Sequence, residues 1–289
     1  MFFFPFVGFA SYDIIDDYEV YDIQKPLTIP ITPKKEANIN SDKTMFLTFD
    51  DGPLLGSNNI ISVLQEENVK ATMFMIGKHA QRSKYRKKTF KRAIKEPLIL
   101  VANHTYSHAD GRYKHFYSDK EALIEDINKM DQILMENDPN HNLPYCRLAG
   151  RNVWRLPKII RNDAGIPKRY CENDKYDALS ECGYKIFGWD YQWEYNPRSG
   201  KVYKTPQEIA NTIEKIYKRG RTRKTGKFVL LMHDFSFRDK FGGKEQLREL
   251  ITELKSLGWG FATVANYIKA KNCKIPYAYN TRQQKTTEH

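Results

Sequence analysis

The 289-residue chain is 28% charged and 40% hydrophobic, and Lys plus Arg outnumber Asp plus Glu by 47 to 35. That balance excludes a fibrous or wholly disordered chain and leaves room for one large core or two small ones. The net charge of +12 bears on partners rather than fold: nucleic acid, anionic lipid or an acidic cell-envelope polymer would each suit it.

The first ten residues are apolar, with Gly8 and Ala10 near the end, but no positively charged segment precedes them. They read either as a truncated signal segment or as an aromatic stretch packed on the domain. No other stretch approaches the ~20 apolar residues that a membrane span needs. Residues 11–43 carry Pro26, Pro30 and Pro33 without periodicity and read as an irregular lead-in.

Residues 44–49 form an apolar, β-branched and aromatic run that stops at Asp50, Asp51, Gly52 and Pro53. This is a buried strand that ends in two adjacent carboxylates. A helix follows over about 57–68, with Ile60, Ile61, Val63 and Leu64 on one side, and a second strand over 71–77. The segment from His79 to Lys95 crowds Arg82, Lys84, Arg86, Lys87, Lys88, Lys91 and Arg92 together. It reads first as a solvated helix face, with a polyanion-binding surface as the alternative. A third strand over 98–102 runs into His104 and His108, and a helix over 119–136 follows with Ser118 as its N-cap. Residues 145–150 read as a short fourth strand, and 151–181 as an irregular insertion.

A fifth strand over 184–190 ends in Asp190. Thr205, Pro206 and Glu208 form a capping-box start for a helix, residues 227–233 a sixth strand ending in His233, 243–257 an amphipathic helix closed by Gly258, and 260–264 a seventh strand. Strands alternating with helices predict an α/β fold, a distorted (β/α) barrel of about seven parallel strands. Such a barrel gathers the strand ends at one face, so Asp50, Asp51, His104, His108, Asp190 and His233 would line one pocket.

The spacing of His104 and His108 puts both imidazoles on one side of a helical turn, and with one carboxylate they make a two-His, one-Asp set that leaves a position for water. Four cysteines, Cys146, Cys171, Cys182 and Cys273, show no CxxC spacing and do not suggest a structural zinc site. Cys171 with Cys182 is the local disulfide candidate in an exported chain, and reduced, buried thiols account for the cysteines equally well.

The run Thr48 to Pro53, the His104-Thr-Tyr-Ser-His108 segment and Leu230-Leu-Met-His233 together resemble the polysaccharide deacetylase family, the NodB-homology domain of carbohydrate esterase family 4, over about residues 44–268. The resemblance implies Asp50 as catalytic base, Asp51, His104 and His108 as metal ligands, and His233 as general acid. It further implies Arg147 paired with the base, Asp190 in the network around Arg147 or His233, an oxyanion-holding amide near Gly150, and Trp189 or Trp193 as a wall for the acetyl or sugar group. The chain departs from the family pattern at Ala149, where Pro is expected, and after Gln192, where a second acid is expected.

The expected activity is metal-dependent removal of N-acetyl groups from an amino-sugar polymer such as peptidoglycan, in the periplasm or cell envelope. Zinc suits the ligand set best, and cobalt, nickel or manganese also fit it. The expected partners are an acetylated glycan and an anionic envelope polymer, with no nucleic acid and no transmembrane span. The expected layout is a lead-in over 1–43, a catalytic domain over 44–270 and a tail over 271–289. A glycan-binding protein that has lost turnover is the alternative. A phosphoryl-transfer enzyme is disfavoured, because Asp50 and Asp51 are adjacent rather than spaced as Asp-x-Asp, and no Walker-type loop is present.

Overall fold

Alternation along β1 (Thr44–Gly52) decides what each of its faces meets. Met45, Leu47 and Phe49 join a cluster built with the helices, while Phe46 joins a second, inner cluster. Thr48 and Asp50 share the parity of Phe46 and so point inward. The computed structural model describes residues 43–268, except 140, 142, 168, 169 and 171. The N-terminal apolar run, Cys171 and Cys273 lie outside the described residues.

After β1 come α1 (Ser57–Glu67), β2 (Ala71–Met75), α2 (Gly77–Arg82), α3 (Lys84–Lys95), β3 (Ile99–Asn103), α4 (Tyr113–Phe116) and α5 (Lys120–Asn137). The chain continues through β4 (Tyr145–Cys146), β5 (Trp154–Leu156), β6 (Ile159–Arg161), α6 (Asn173–Glu181), β7 (Lys185–Ile186) and β8 (Tyr191–Gln192). It closes with α7 (Pro206–Lys218), β9 (Lys227–His233), α8 (Gly243–Ser256) and β10 (Gly260–Phe261).

The sheet runs β6-β5-β7-β4-β3-β2-β1-β9-β8, with β10 paired to the start of β1. Parallel pairings join eight of the ten strands, and only β5 pairs antiparallel, with β6 and β7. This is the distorted α/β barrel expected, opened into a half-barrel whose described edges are β6 and β8. All seven expected strands are present. The eighth parallel strand, β8, was hidden by its two-residue length, and the segment expected to be irregular contains the β5–β6 hairpin and α6.

The layers follow strand parity. On β9, Phe228, Leu230 and Met232 face the helices, leaving Val229 and His233 on the inner side with Asp50. Tyr145, Trp154, Phe187 and Tyr267 fill the inner cluster below the site. The capping box at Thr205 forms as read: its hydroxyl accepts from the Glu208 amide, and the Glu208 carboxylate accepts from the Thr205 amide. The N-cap of α5 is Asp119 rather than Ser118. Asp119 accepts from the Ala122 amide, whereas the Ser118 hydroxyl turns back to the His115 carbonyl. No helix among the described residues is long and apolar enough to cross a membrane.

Candidate active site

Consecutive residues of a strand point to opposite faces, so Asp50 and Asp51 should diverge. They do not, because the β1–β2 register shifts between Asp50 and Gly52 and Asp51 takes a left-handed conformation with φ 74°. Both carboxylates therefore meet the His104 imidazole, and Asp51 meets His108 as well. The Nε2 of His104 lies 3.5 Å from Asp50 Oδ2 and 3.4 Å from Asp51 Oδ1, and His108 Nε2 lies 3.2 Å from Asp51 Oδ1.

The two histidines do not sit on an α-helical turn as the spacing suggested. Thr105 and His108 have φ of 68° and 55°, and a short 3-10 segment begins only at His108. The side chains of α5 and β3 hold this irregular loop in place. Asp126 accepts from the Tyr106 and Ser107 amides, and Asn103 Oδ1 accepts from the Thr105 amide. Asn103 in turn donates to the Ile127 carbonyl and to Asp131, which also accepts from the Tyr184 hydroxyl.

Second partners orient the rings. His104 Nδ1 lies 2.8 Å from the Arg147 carbonyl, and a carbonyl only accepts, so this nitrogen carries the hydrogen. The lone pair of neutral His104 is then on Nε2, facing the acids. Tyr113, absent from the sequence reading, approaches His108 Nδ1 through its hydroxyl at 3.4 Å. His79, also missed, donates from Nδ1 to the Asp51 carbonyl at 2.7 Å by the same reasoning.

Electrostatics divide the group. Burial alone would raise the Asp51 carboxyl, but His108, His104 and His233 outweigh it and hold Asp51 well below the ordinary carboxylate range. Burial outweighs Asp51 at His108 and pushes it down to about 4, so its imidazole is neutral near pH 7. At His104 burial also disfavours the charged ring, but Asp50 and Asp51 prevail and raise it. Asp51 Oδ1 is buried without a hydrogen-bond donor, and the ligand atoms of Asp51, His104 and His108 lie within 4.8 Å of one another. An ionised oxygen and two inward imidazole nitrogens fit a divalent cation of the zinc type.

Arg147 is fully buried behind Asp50. Its Nη1 donates to Asp50 Oδ1 and Thr48 Oγ1, both at 2.8 Å, and its Nε and Nη2 donate to the Phe187 and Gly188 carbonyls. Oδ1 of Asp50 is thereby engaged, while Oδ2 faces His104. His233 is registered beside Asp50 on β9, and its ring lies 5.3 Å from that of Tyr195. Its Nδ1 is buried with no partner. Next to it, Asp234 accepts from the Gly56 amide and the Ser57 hydroxyl and so fixes the loop that follows the acid pair. A Cβ on Gly56 would lie 2.0 Å from the Asp234 carbonyl oxygen, so only glycine fits there.

Two expected residues go elsewhere. The carboxylate of Asp190 accepts from the amides of Arg223 and Val229, at 2.7 and 2.8 Å, and so ties backbone segments together instead of joining Arg147 or His233. Trp193 is buried in the helix-side cluster and donates to the Lys204 carbonyl, which makes it a core residue rather than a wall. Trp189 stays near the centre, its ring 5.7 Å from the Arg147 guanidinium and its backbone clamped by Asn152. Gly150, with φ 63°, is exposed at the rim against the Tyr113 ring.

The polysaccharide deacetylase family model matches residues 37–154. A peptidoglycan-N-acetylglucosamine deacetylase of Bacillus cereus is 27% identical over 237 residues, covering 81% of this chain and 92% of the relative. A chitin disaccharide deacetylase of Vibrio alginolyticus is 24% identical over 310 residues, covering 80% of this chain and 73% of the relative. In fold, the chain resembles the catalytic domain of peptidoglycan N-acetylglucosamine deacetylase from Eubacterium rectale, with a TM-score of 0.56 at 20% identity over 81% of this chain and 93% of that one. The matched span carries the acid pair, both inward imidazoles and Arg147, on a half-barrel of the same architecture: over residues 37–154 the chain matches the polysaccharide deacetylase family.

Proposed function

We propose that this protein is a metal-dependent hydrolase that removes N-acetyl groups from an amino-sugar polymer such as peptidoglycan, releasing acetate and leaving a free amine. The observation that carries the reading is the asymmetry of the two acids. Asp51 shares its oxygen with two imidazoles, whereas Asp50 is held at one oxygen by Arg147 and keeps the other turned toward the same centre. Asp51, His104 and His108 would hold the divalent cation, with zinc the best match. Such a cation polarises a carbonyl and acidifies water.

Asp50 Oδ2 takes the proton of the attacking water, while Arg147 stabilises the carboxylate and fixes its rotamer. Gly150 and Trp189 border the acetyl pocket. His233, beside Asp50 on the neighbouring strand, delivers a proton to the nitrogen as the carbon–nitrogen bond breaks. Asp190 and Trp193 support the strands that carry these groups. The catalytic domain is assigned to 44–270, flanked by a lead-in and a tail, and the place of action is extracytoplasmic.

Acetate released from N-acetylglucosamine oligomers and from peptidoglycan is the direct assay, with chelation and zinc resupply as the on–off control. Asp50→Asn is expected to lower turnover by about 10²–10⁴-fold, the range for a lost general base, while bound metal per chain stays unchanged. Loss of metal in that variant would mean the roles of the two acids are exchanged.

A second reading is a glycan-binding protein without turnover. The unpartnered Nδ1 of His233 favours it, since nothing orients that ring through its far nitrogen. Tight glycan binding with no acetate release in zinc-loaded protein would select it.

A further inference from the structure

Helix α3 contains Lys84, Arg86, Lys87, Lys88, Lys91, Arg92 and Lys95 and no acid at all. A solvated helix normally mixes signs. α8, for example, sets Lys244, Arg248 and Lys255 against Glu245, Glu249 and Glu253. In α3 the like charges fall three and four residues apart, and Lys84 stands at the positive end of the helix dipole, both unfavourable arrangements.

The cations also divide by task. Thr89, Phe90 and Ala93 face the core with Arg86 buried beside them, and Arg92 donates to Asn58, Ser62 and Gln65 of α1. Lys84, Lys88, Lys91 and Lys95 are exposed, with Lys87 beside them, and no acid pairs with any of the five among the described residues. Their spacing of four, three and four residues lines them up on one face, one charge per turn over about 16 Å.

We infer that this stripe is a docking surface for a linear polyphosphodiester with a polyol backbone. One cation per turn, about 5.4 Å apart, gives a regular row that a chain of evenly spaced phosphates can follow. The heads are lysines, which act as point charges, while both arginines of the helix are turned to the protein. The one exposed aromatic ring on the helix, Tyr85, is 45% exposed and its hydroxyl accepts from Asn58, so the stripe lacks the row of stacking rings that single-stranded nucleic acid uses. It also lacks the apolar side chains that an interfacial helix inserts into lipid. The helix that carries the stripe directly follows α2, whose His79 donates to the Asp51 carbonyl. The inference is independent of turnover at the site.

The test uses the full chain and a fluorescently labelled poly(glycerol phosphate) of defined length. Four phosphate contacts predict a log–log salt slope near −3, a loss of roughly 50-fold from about 50 to about 200 mM salt. Replacing Lys84, Lys88, Lys91 and Lys95 together with Gln is expected to weaken binding at least tenfold at low salt and to flatten the slope. A control variant with Gln at Lys120, Lys201, Lys215 and Lys218, all exposed and far from α3 in sequence, removes the same charge and is expected to bind like wild type. Far-UV circular dichroism checks that both variants are folded. Equal weakening in the two variants would reduce the effect to net charge, and unchanged binding in the stripe variant would remove the surface; either overturns the inference. So would equal or tighter binding of oligothymidylate or of anionic phospholipid vesicles.

Discussion

Arg147 offers the sharpest test of how the centre is built. Its side chain is fully buried and pairs with a carboxylate that is 4% exposed. Arg147→Met keeps much of the apolar volume but leaves Asp50 as a buried charge without its cation. Removing one partner of a buried pair costs about 3–5 kcal/mol, because the orphaned charge remains. Thr48 and the Phe187 and Gly188 carbonyls also lose a donor, adding about 1 kcal/mol or more. The sum, about 4–6 kcal/mol, corresponds to a fall in Tm of about 10–20 °C for a domain of this size. Urea unfolding and calorimetry of the single variants and of Asp50→Asn/Arg147→Met complete a double-mutant cycle. The double variant is expected to be more stable than Arg147→Met alone, because the unpaired charge is gone. A loss under about 1 kcal/mol for Arg147→Met, or strictly additive effects, would refute the buried-pair account.

Further outcomes follow from the supporting residues. Burial raises the Asp131 carboxyl to about 6, against hydrogen bonds from Tyr184 and Asn103 that favour its ionised form. A folded-state value above the unfolded one makes its contribution greatest below about pH 4 and lost as the pH rises to about 6, a change on the order of 3 kcal/mol. Asp131→Asn, which stays neutral, should flatten urea-derived stability across that window, and an unchanged pH profile would count against the assignment. Trp193→Phe should lower stability by about 1–3 kcal/mol through the lost bond to Lys204 and lost volume, with KM for a glycan oligomer unchanged; a KM effect without a stability effect would return Trp193 to the substrate wall. His108→Ala should abolish stoichiometric zinc binding measured by calorimetry while the fold persists, and retention of full affinity would remove His108 from the ligand set.

The parts legible in the sequence were those written in local patterns. The apolar run into Asp50 and Asp51, the strand ending in His233 and the Thr205 capping box each carry their own signature within a few residues, and each has the expected structure. The roles of Asp190 and Trp193 were illegible for a different reason. An acid and a tryptophan after a strand look alike whether they face a substrate or bind the Val229 amide and the Lys204 carbonyl 39 and 11 residues away. The loop between His104 and His108 is not the helical turn that its spacing suggests, because its shape is set by Asp126 on α5, 20 residues from Tyr106, and by positive φ values that no spacing rule encodes. Of the strands of two residues, β4, β7 and β10 lie within longer apolar runs that mark them in the sequence, whereas β8 is too short to register and is defined by its pairing with β9.

The left-handed conformation of Asp51 also has a bearing on what holds this turn. A non-glycine residue in that region is held against its backbone preference, and the surrounding sheet supplies the restraint. Substituting Gly at position 51 would relax the backbone, but it would also remove a carboxylate that His108, His104 and His233 hold ionised in spite of its burial, so the two changes pull in opposite directions. Position 51 is thus a point where backbone preference and side-chain electrostatics oppose each other. Any change that loosens the imidazoles around Asp51 therefore also weakens what holds the backbone of this turn.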